Sequence, residues 1–225
     1  MILVMLGPPG SGKGTQSNIL SKKMNIPTLS TGQMLRDIMD GEPDSKLALR
    51  VRKIVECGNL VSDDIMTEVL SQRFAADDCK NGVILDGYPR NLTQAYMFED
   101  ILYNMGSYDY MVLYFDINDQ LIIDRLSGRF MCANCNAQYH KTLRKPKQEG
   151  ICDFCGSRNF IERKDDSKFA VENRLNIYNK QTHPLVEHFS KLDKMIYVNA
   201  EGAIDDITDQ ILSQLELRKI NLSNA

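Results

Sequence analysis

The chain has 225 residues, of which 43% are hydrophobic and 25% charged, a composition typical of a folded globular protein and not of a disordered one. At about 150 residues per domain, this length predicts between one and two domains, and one core with an insertion fits that range. The formal net charge of -3 excludes a global basic field that would attract nucleic acid or anionic lipid, so an anion site must be local. No apolar run approaches the ~20 residues of a membrane helix, and the first apolar run lacks the length and basic flank of a signal peptide. We therefore expect a cytoplasmic protein.

Apolar runs alternate with helix-period segments along most of the chain. Ile2–Leu6 is an unbroken apolar run, which predicts a buried strand, and the apolar spacing from Lys13 onward predicts a helix that Pro27 ends. Further strands are predicted at 83–85, 110–115 and 195–198, and a last amphipathic helix at 204–215. This alternation predicts an α/β fold, a doubly wound parallel sheet with helices on both faces.

A glycine-rich loop follows the first apolar run. Residues 7–13 read Gly-Pro-Pro-Gly-Ser-Gly-Lys, which fits the phosphate-loop pattern G-x-x-x-x-G-K in its expected place between a strand and a helix. The glycines let backbone N–H groups turn inward around phosphate oxygens, while the helix N-terminus and Lys13 add positive charge. Gly14 stands where the general motif has the Ser or Thr that ligates Mg²⁺, and Thr15 comes one position late. Asp86, at the end of a predicted strand, is therefore the candidate that orients the waters of Mg²⁺; an ordinary strand-end carboxylate is the alternative.

Three further segments accompany Gly-Lys-Gly-Thr at 12–15. They read Leu-Ser-Thr-Gly-Gln-Met-Leu-Arg at 29–36, Gly-Asn-Leu-Val at 58–61 and Leu-Asp-Gly-Tyr-Pro-Arg-Asn-Leu-Thr-Gln-Ala at 85–95. With them the sequence closely resembles the adenylate kinase family, from Met1 to about Ile211. The resemblance implies a core phosphate-loop domain at 1–29, 60–127 and 165–225, a helical nucleoside monophosphate-binding region at 30–59 and a lid at 128–164. It implies a monomeric enzyme that transfers a phosphoryl group reversibly from Mg-ATP to AMP, giving two ADP, with neither nucleic acid nor membrane as a partner.

The resemblance also implies two sets of nucleotide-binding residues. The ATP set is Gly10, Ser11, Gly12, Lys13, Gly14, Thr15, Arg125, Arg129, Tyr139, His140 and Ala200. The AMP set is Thr31, Arg36, Asn59, Leu60, Val61, Gly87, Arg90, Gln94, Arg163 and Arg174. Arg36 and Arg90 are planar forks that could hold a phosphate bidentately, and the Gln94 amide can donate to and accept from an adenine edge in one plane.

The residues that the resemblance makes catalytic all carry positive charge. They are Lys13, Arg90, Arg129, Arg163 and Arg174. Converging cations would stabilise charge on the transferring phosphoryl group, a reaction that needs no nucleophilic side chain. Asp165 and Asp166 resemble the family's carboxylate pair beside these arginines, whereas Phe130 departs from the pattern, since many relatives have another Arg there. Taken singly, each arginine also fits a solvated helix face, Gln94 a surface amide and the acidic pair a helix N-terminus.

Four cysteines lie in a basic segment where the strand–helix rhythm disappears. Cys132-x-x-Cys135 and Cys152-x-x-Cys155 are separated by 16 residues, a spacing typical of a zinc ribbon with four thiolate ligands and no open catalytic position. A unit with so few aliphatic residues needs a structural Zn²⁺ to fold. Two disulfides, an Fe–S centre or His140 as a ligand are the alternatives. Cys57 and Cys79 are predicted to be buried small hydrophobes.

Two rival functions fit parts of the sequence. One is the same phosphotransfer with UMP or CMP as acceptor or GTP as donor. The other is a nucleic-acid-binding NTPase, because zinc ribbons and phosphate loops occur together in such proteins. The net charge of -3 and the scarcity of aromatic residues near the cysteines argue against the second rival.

Overall fold

The computed structural model describes residues 1–41, 46–57, 59, 61–106, 109–162 and 166–218. Within these ranges the strands are β1 (Ile2–Leu6), β2 (Thr28–Ser30), β3 (Val83–Asp86), β4 (Tyr110–Asp116), β5 (Arg129–Cys132), β6 (Gln138–His140), β7 (Phe160–Ile161) and β8 (Met195–Asn199). The helices are α1 (Lys13–Met24), α2 (Thr31–Gly41), α3 (Lys46–Glu56), α4 (Asp63–Phe74), α5 (Leu92–Asn104), α6 (Asp119–Ser127), α7 (Lys168–Ile177), α8 (Pro184–Lys191) and α9 (Ile204–Leu217). A π-helical turn, Tyr178–Thr182, joins α7 to α8.

Five strands form one parallel sheet in the order β2-β3-β1-β4-β8. The central strand β1 is buried on both faces, which explains why its sequence is continuously apolar. Alternate residues of β1 point to opposite faces of the sheet. Val4 packs with α4, α5 and α8 on one face, and Leu3 packs with α1 and α9 on the other. The doubly wound α/β prediction is confirmed. The sequence missed β2 because that strand has only three residues, two of them polar.

The sheet topology brings two chain segments together at one edge. β1 and β3 are parallel neighbours in a register that pairs Met5 with Asp86. The loop after β1, which contains the phosphate-loop pattern, therefore lies beside the carboxyl end of β3. Ligands of open parallel sheets bind at this edge, where neighbouring connections leave in opposite directions.

A second, smaller sheet is built from the cysteine-containing insertion. It is antiparallel, with β5 between β6 and β7. Its apolar cluster contains Phe130, Tyr139 and Phe160 beside two cysteines, and the rings of Phe130 and Tyr139 stack with centroids 5.7 Å apart. Phe130 thus packs within this small sheet, where an arginine would have carried charge.

Candidate nucleotide and metal sites

The phosphate-loop pattern forms a turn directly before α1. Gly12 has a φ of 97°, a left-handed conformation that glycine adopts without steric cost, and α1 begins at the next residue, Lys13. The Lys13 ammonium donates hydrogen bonds of 2.7 Å to the carbonyl oxygens of Gly7 and Pro8, so it is folded back onto its own loop. Burial lowers the pKa of Lys13 to about 8, although nearby Asp86 opposes that shift. Lys13 thus holds its positive charge beside the loop. A negatively charged phosphate would bind this ammonium more strongly than the two neutral carbonyl groups do.

A cavity of about 740 Å³ opens above this loop. Predicted site residues that line it are Gly10, Ser11, Gly12, Lys13, Gly14, Thr15, Arg36, Asp86, Gly87, Arg90, Arg125, Arg129, Tyr139, His140 and Arg174. A second, narrower cavity is lined by Thr31, Arg36, Asn59, Val61, Gly87, Arg90, Gln94 and Arg174. The two cavities adjoin, because Arg36, Arg90 and Arg174 line both. Leu60 and Arg163 lie outside the described residues.

Two arginines of the large cavity share one carboxylate. Arg129 donates to both oxygens of Asp166, with Nε at 2.6 Å from Oδ2, and Arg174 Nη1 donates to Oδ1 at 3.2 Å. The Asp166 side chain is only 6% exposed, so this carboxylate is itself fixed by packing. Asp166 thus holds two guanidinium groups that come from β5 and α7 at the cavity wall. Its neighbour Asp165 lies outside the described residues.

Arg90 is fixed by the turn that follows β3. Its Nε donates to the Gly87 carbonyl at 2.7 Å, and Nη2 lies 3.4 Å from the hydroxyl of Thr31. Thr31 in turn donates to the same carbonyl at 2.9 Å. Gly87 has a φ of 89°, and a Cβ there would lie 2.7 Å from Thr31 Oγ1 and 2.9 Å from Arg90 Nη2. Only glycine lets this turn, Thr31 and Arg90 approach one another so closely.

Gln94 is almost completely buried and its amide is oriented by two contacts. Its Oε1 accepts from the backbone N–H of Arg90 at 2.8 Å, and its Nε2 donates to Asp63 Oδ1 at 2.7 Å. Asn91 also donates to Asp63, at 3.0 Å. One donor and one acceptor position of the Gln94 amide remain available, since a carboxamide has two of each. Asp63 was missed by the sequence reasoning, because it lies 31 residues from Gln94 and in another helix.

Arg125 makes a contact within the sheet domain, and His140 joins the insertion to that domain. Arg125 Nη1 donates to the Ala200 carbonyl at 2.9 Å, so Ala200 lies behind Arg125. His140 Nδ1 accepts from the backbone N–H groups of Thr142 and Leu143, which leaves Nε2–H to donate to the Asp124 carbonyl at 3.0 Å. Both ring nitrogens of His140 are therefore engaged within the protein.

The four cysteines of the insertion converge on one point. Their sulfur atoms all lie within 4.8 Å of one another, with Cys132 and Cys155 at 3.6 Å and Cys135 and Cys152 at 3.5 Å. A tetrahedral zinc site with Zn–S distances of about 2.3 Å has S···S edges of about 3.8 Å, so the four thiols could hold this ion. The distances are much longer than the ~2.05 Å of a disulfide.

The hydroxyl of Tyr139 donates a hydrogen bond to one cysteine of this cluster, Cys152. Burial opposes ionisation of Cys152, but a hydrogen bond from the Tyr139 hydroxyl and backbone N–H donors outweigh it and lower its pKa to about 6. The same hydroxyl accepts from the backbone N–H of Asp153 at 2.8 Å. Tyr139 thus packs its ring against Phe130 and Phe160, and its hydroxyl contacts the cysteine cluster.

The two remaining cysteines differ from each other. Cys79 is buried, as predicted. The prediction that Cys57 is buried is wrong: it is exposed, because it lies in the turn that follows α3. In the described part of the chain, no helix combines the length and the apolar character needed to cross a membrane.

Comparisons with known proteins agree with this geometry. A sequence model described as adenylate kinase matches residues 5–194. An adenylate kinase of Allorhizobium ampelinum is 42% identical over 211 residues, which are 94% of this chain and 97% of that relative. Adenylate kinases of Caldicellulosiruptor saccharolyticus and Methanosarcina barkeri are 39% and 38% identical, each over 96% of this chain and 99% of the relative. The chain belongs to the adenylate kinase family of enzymes, which transfer phosphoryl groups between adenine nucleotides.

Proposed function

We propose that this enzyme transfers the terminal phosphoryl group of Mg-ATP to AMP, reversibly, giving two ADP. The observation that carries the proposal is the pair of adjoining cavities, with the phosphate loop and Lys13 in the larger one and Arg36, Arg90 and Arg174 common to both. A donor phosphate and an acceptor phosphate held on either side of these arginines would meet at their shared boundary. Positioning of this kind supplies most of the rate in a reaction with little covalent work for the protein.

The arginines act in this proposal by electrostatic stabilisation. Asp166 fixes Arg129 and Arg174, so their positive charges need no reorganisation when charge develops on the transferring phosphoryl group. Lys13 would leave the carbonyl groups of its loop and bind the donor phosphates. Arg163, outside the described residues, joins this set only by family resemblance.

We assign the segments of the chain to parts of this reaction. The core at 1–29, 60–127 and 165–225 carries the phosphate loop, the region at 30–59 carries the AMP side, and the lid at 128–164 covers ATP. Arg129, Tyr139 and His140 would border the ATP from the lid, and Arg125, which donates to the Ala200 carbonyl, would border it from the core. Closure of the lid excludes water, which would otherwise compete with AMP as the acceptor.

The proposal includes two metal ions with different roles. Mg²⁺ enters as part of the Mg-ATP substrate, and Asp86, whose carboxylate faces the phosphate loop next to Gly14, would orient its waters. Zn²⁺ would be structural and bound by Cys132, Cys135, Cys152 and Cys155. The thiols fit a closed tetrahedral site with no position for substrate.

Base recognition in the proposal depends on Gln94. Its amide is oriented by Arg90 and Asp63 and keeps one donor and one acceptor for the adenine of AMP. Thr31, Asn59, Leu60, Val61 and Gly87 complete the proposed AMP set. We also assign the enzyme as a cytoplasmic monomer that has neither nucleic acid nor a membrane as a partner.

An acceptor panel tests the function directly. The purified protein is incubated with Mg-ATP and each of AMP, UMP, CMP or GMP, and diphosphate formation is followed by chromatography; a parallel series replaces ATP with GTP. We expect selective conversion of AMP and ATP to ADP. Preferential conversion of UMP or CMP would refute the assignment of Gln94, and hydrolysis of ATP without an acceptor would refute the kinase proposal.

Two lysines of α1 provide a matched pair for the same assay. We expect Lys13→Ala to lower kcat/KM by about a thousandfold, the size of losing one preorganised charge contact to a transition state. Lys23→Ala, at the exposed end of the same helix, should leave turnover unchanged. Equal turnover in the two variants would contradict the role of Lys13.

A further inference from the structure

The side-chain amide of Gln94 is held at both of its ends. Gln94 is buried and lines the narrower cavity, whereas Asp63 is not among the described residues that line either cavity. The backbone N–H of Arg90 can only donate, and it contacts Gln94 Oε1 at 2.8 Å. A carboxylate accepts, and Asp63 Oδ1 contacts Gln94 Nε2 at 2.7 Å. Reversing the amide would set donor against donor at Arg90 and acceptor against acceptor at Asp63.

Asp63 is itself placed by the ends of two helices. It is the first residue of α4, and its Oδ1 also accepts a hydrogen bond of 3.0 Å from Asn91 Nδ2. Asn91 is the N-cap of α5, where its own Oδ1 accepts from the Gln94 backbone N–H at 2.8 Å. The side-chain donors of Asn91 and Gln94 thus meet at one oxygen of Asp63. The carboxylate is therefore fixed by the same helix N-terminus that carries Gln94.

The orientation of a carboxamide decides which purine it can pair with. Adenine has an amino donor at position 6 and an acceptor at N1, so it needs the amide oxygen opposite position 6 and the amide nitrogen opposite N1. A 6-oxopurine has an acceptor at position 6 and a donor at N1, so it needs the amide reversed. For a purine held in one position by the cavity walls, an amide that can reverse would pair with either base. An amide held in one orientation pairs with one of them and opposes the other.

We propose that Asp63 is a positioning residue that makes the acceptor site selective for 6-aminopurine over 6-oxopurine nucleotides. It acts through Gln94 and does not touch the nucleotide. The inference rests on the proposed function, in which the narrower cavity takes AMP and Gln94 contacts its base. Without the Asp63 acceptor, a buried N–H of Gln94 loses its partner, and one of the two contacts that oppose reversal of the amide is gone. IMP, which differs from AMP in the 6-oxo group and the proton on N1, would then compete with AMP.

Three variants test this role with matched chemistry. Asp63→Ala removes the carboxylate. Asp63→Asn removes the same charge from the same helix N-terminus but keeps a carbonyl oxygen that can take the place of Oδ1. Asp119→Ala removes an exposed carboxylate from the first residue of α6 and is the control for the general loss of such a charge. Steady-state kinetics with Mg-ATP give kcat/KM for AMP and for IMP in the wild type and in each variant.

The measured quantity is the ratio of kcat/KM for AMP to kcat/KM for IMP. We expect Asp63→Ala to lower this ratio roughly ten- to hundredfold, the size of one hydrogen bond to a charged group. Asp63→Asn should keep it within about threefold of the wild type, and Asp119→Ala should leave it unchanged. A wild-type ratio in Asp63→Ala would overturn the proposal, even if both values of kcat/KM fall together. An equal loss of the ratio in Asp63→Ala and Asp63→Asn would overturn it as well, because the charge and not the acceptor would then be responsible.

A double-mutant cycle with Gln94→Leu tests whether Asp63 acts through the amide. Without the amide neither base is paired, so the ratio should already be low in Gln94→Leu. Adding Asp63→Ala should then lower it no further. Additive losses in the double variant would mean that Asp63 selects the base by another route, which contradicts the inference.

Calorimetry distinguishes failure of this inference from failure of the proposed function. The Kd values of AMP and IMP are measured without ATP for the wild type and for Asp63→Ala. If the wild type does not prefer AMP in binding and in turnover, the proposed function fails and the inference fails with it. If the wild type prefers AMP and Asp63→Ala keeps the wild-type ratio of Kd values, the inference alone is overturned. A preference for AMP that is strong in the wild type and weak in Asp63→Ala supports both.

Discussion

The parallel sheet and the cysteine-containing sheet differ in how much apolar surface they bury. The large sheet holds the phosphate loop through strands such as β1, whose Leu3 and Val4 are fully buried between two layers of helices. Among the described residues, the small sheet has a much smaller apolar cluster, in which Phe130, Tyr139 and Phe160 lie beside two cysteines. Burial of apolar area suffices for the first and falls short for the second, which is too small. In the proposed function, Zn²⁺ bound by the four cysteines would supply the stability that apolar burial does not.

Removal of zinc should produce the largest difference in stability between the two sheets. Structural zinc sites contribute apparent binding free energies of about 10–16 kcal/mol, which in small units is folding free energy. We expect chelation to remove amide protection from the small sheet at 129–161 while β1, β3 and β4 keep theirs, as measured by hydrogen exchange and mass spectrometry. Loss of protection throughout the chain would mean that the two sheets are not independent.

A cysteine pair gives the matched control for that experiment. Cys135 and Cys57 are both exposed, but of the two Cys135 alone belongs to the four-cysteine cluster that could hold a metal ion. Cys135→Ser should lose bound zinc, whereas Cys57→Ser should keep one equivalent, as measured by metal analysis of the purified proteins. Equal zinc content in the two variants would contradict the proposed ligand set.

The same substitution, phenylalanine to alanine, can be made in each sheet to compare their contributions to the free energy of unfolding. Phe98 is fully buried against the large sheet and makes edge contacts with Tyr88 and Tyr110, so Phe98→Ala should lower the global free energy of unfolding by about 3–5 kcal/mol. Phe130→Ala removes a half-buried ring from the small sheet and should lower the global value by under about 0.5 kcal/mol, because its loss is local. Denaturant unfolding monitored by far-UV circular dichroism measures both, and similar losses would indicate one cooperative unit.

The sequence predicted those features in which a local pattern determines the structure. The phosphate loop is one: its glycines and Lys13 are neighbours in the chain, and the strand–helix context is visible on both sides. The sequence also predicted the four-cysteine cluster, because a pair of C-x-x-C turns specifies its own geometry. The parallel sheet followed from runs that are apolar on both faces, whereas β2 is too short to produce such a run.

Features that depend on long-range contacts were not predictable in this way. Asp63 orients Gln94, and Asn173 contacts Asn59 across 114 residues, yet neither lies in a recognisable motif. Asp166 was expected beside the arginines only by resemblance; its bidentate contact with Arg129 depends on where β5 leaves the large domain. Polar contacts between elements are decided by packing, which a single sequence does not display.

The last prediction concerns a contact between the small sheet and the first helix of the large one. The Lys22 ammonium, at the end of α1, lies 5.3 Å from the ring centre of Phe154, between the second pair of cysteines. An exposed cation–π contact contributes about 0.5–1 kcal/mol, so Lys22→Ala should reduce the closed population of the small sheet by roughly two- to fivefold. A fluorescence distance measurement between labels on the two domains reports that population.

Lys23→Ala is the control that separates the contact with Phe154 from the general positive charge at the end of α1. Both lysines lie in the last turn of α1 and interact with the same helix dipole, so the two substitutions remove the same charge from the same helix end. A larger opening in Lys22→Ala therefore isolates the contact with Phe154. Equal opening in both variants would show that closure responds to the general charge of α1, and that Phe154 makes no specific contact that holds the cysteine-containing sheet to α1.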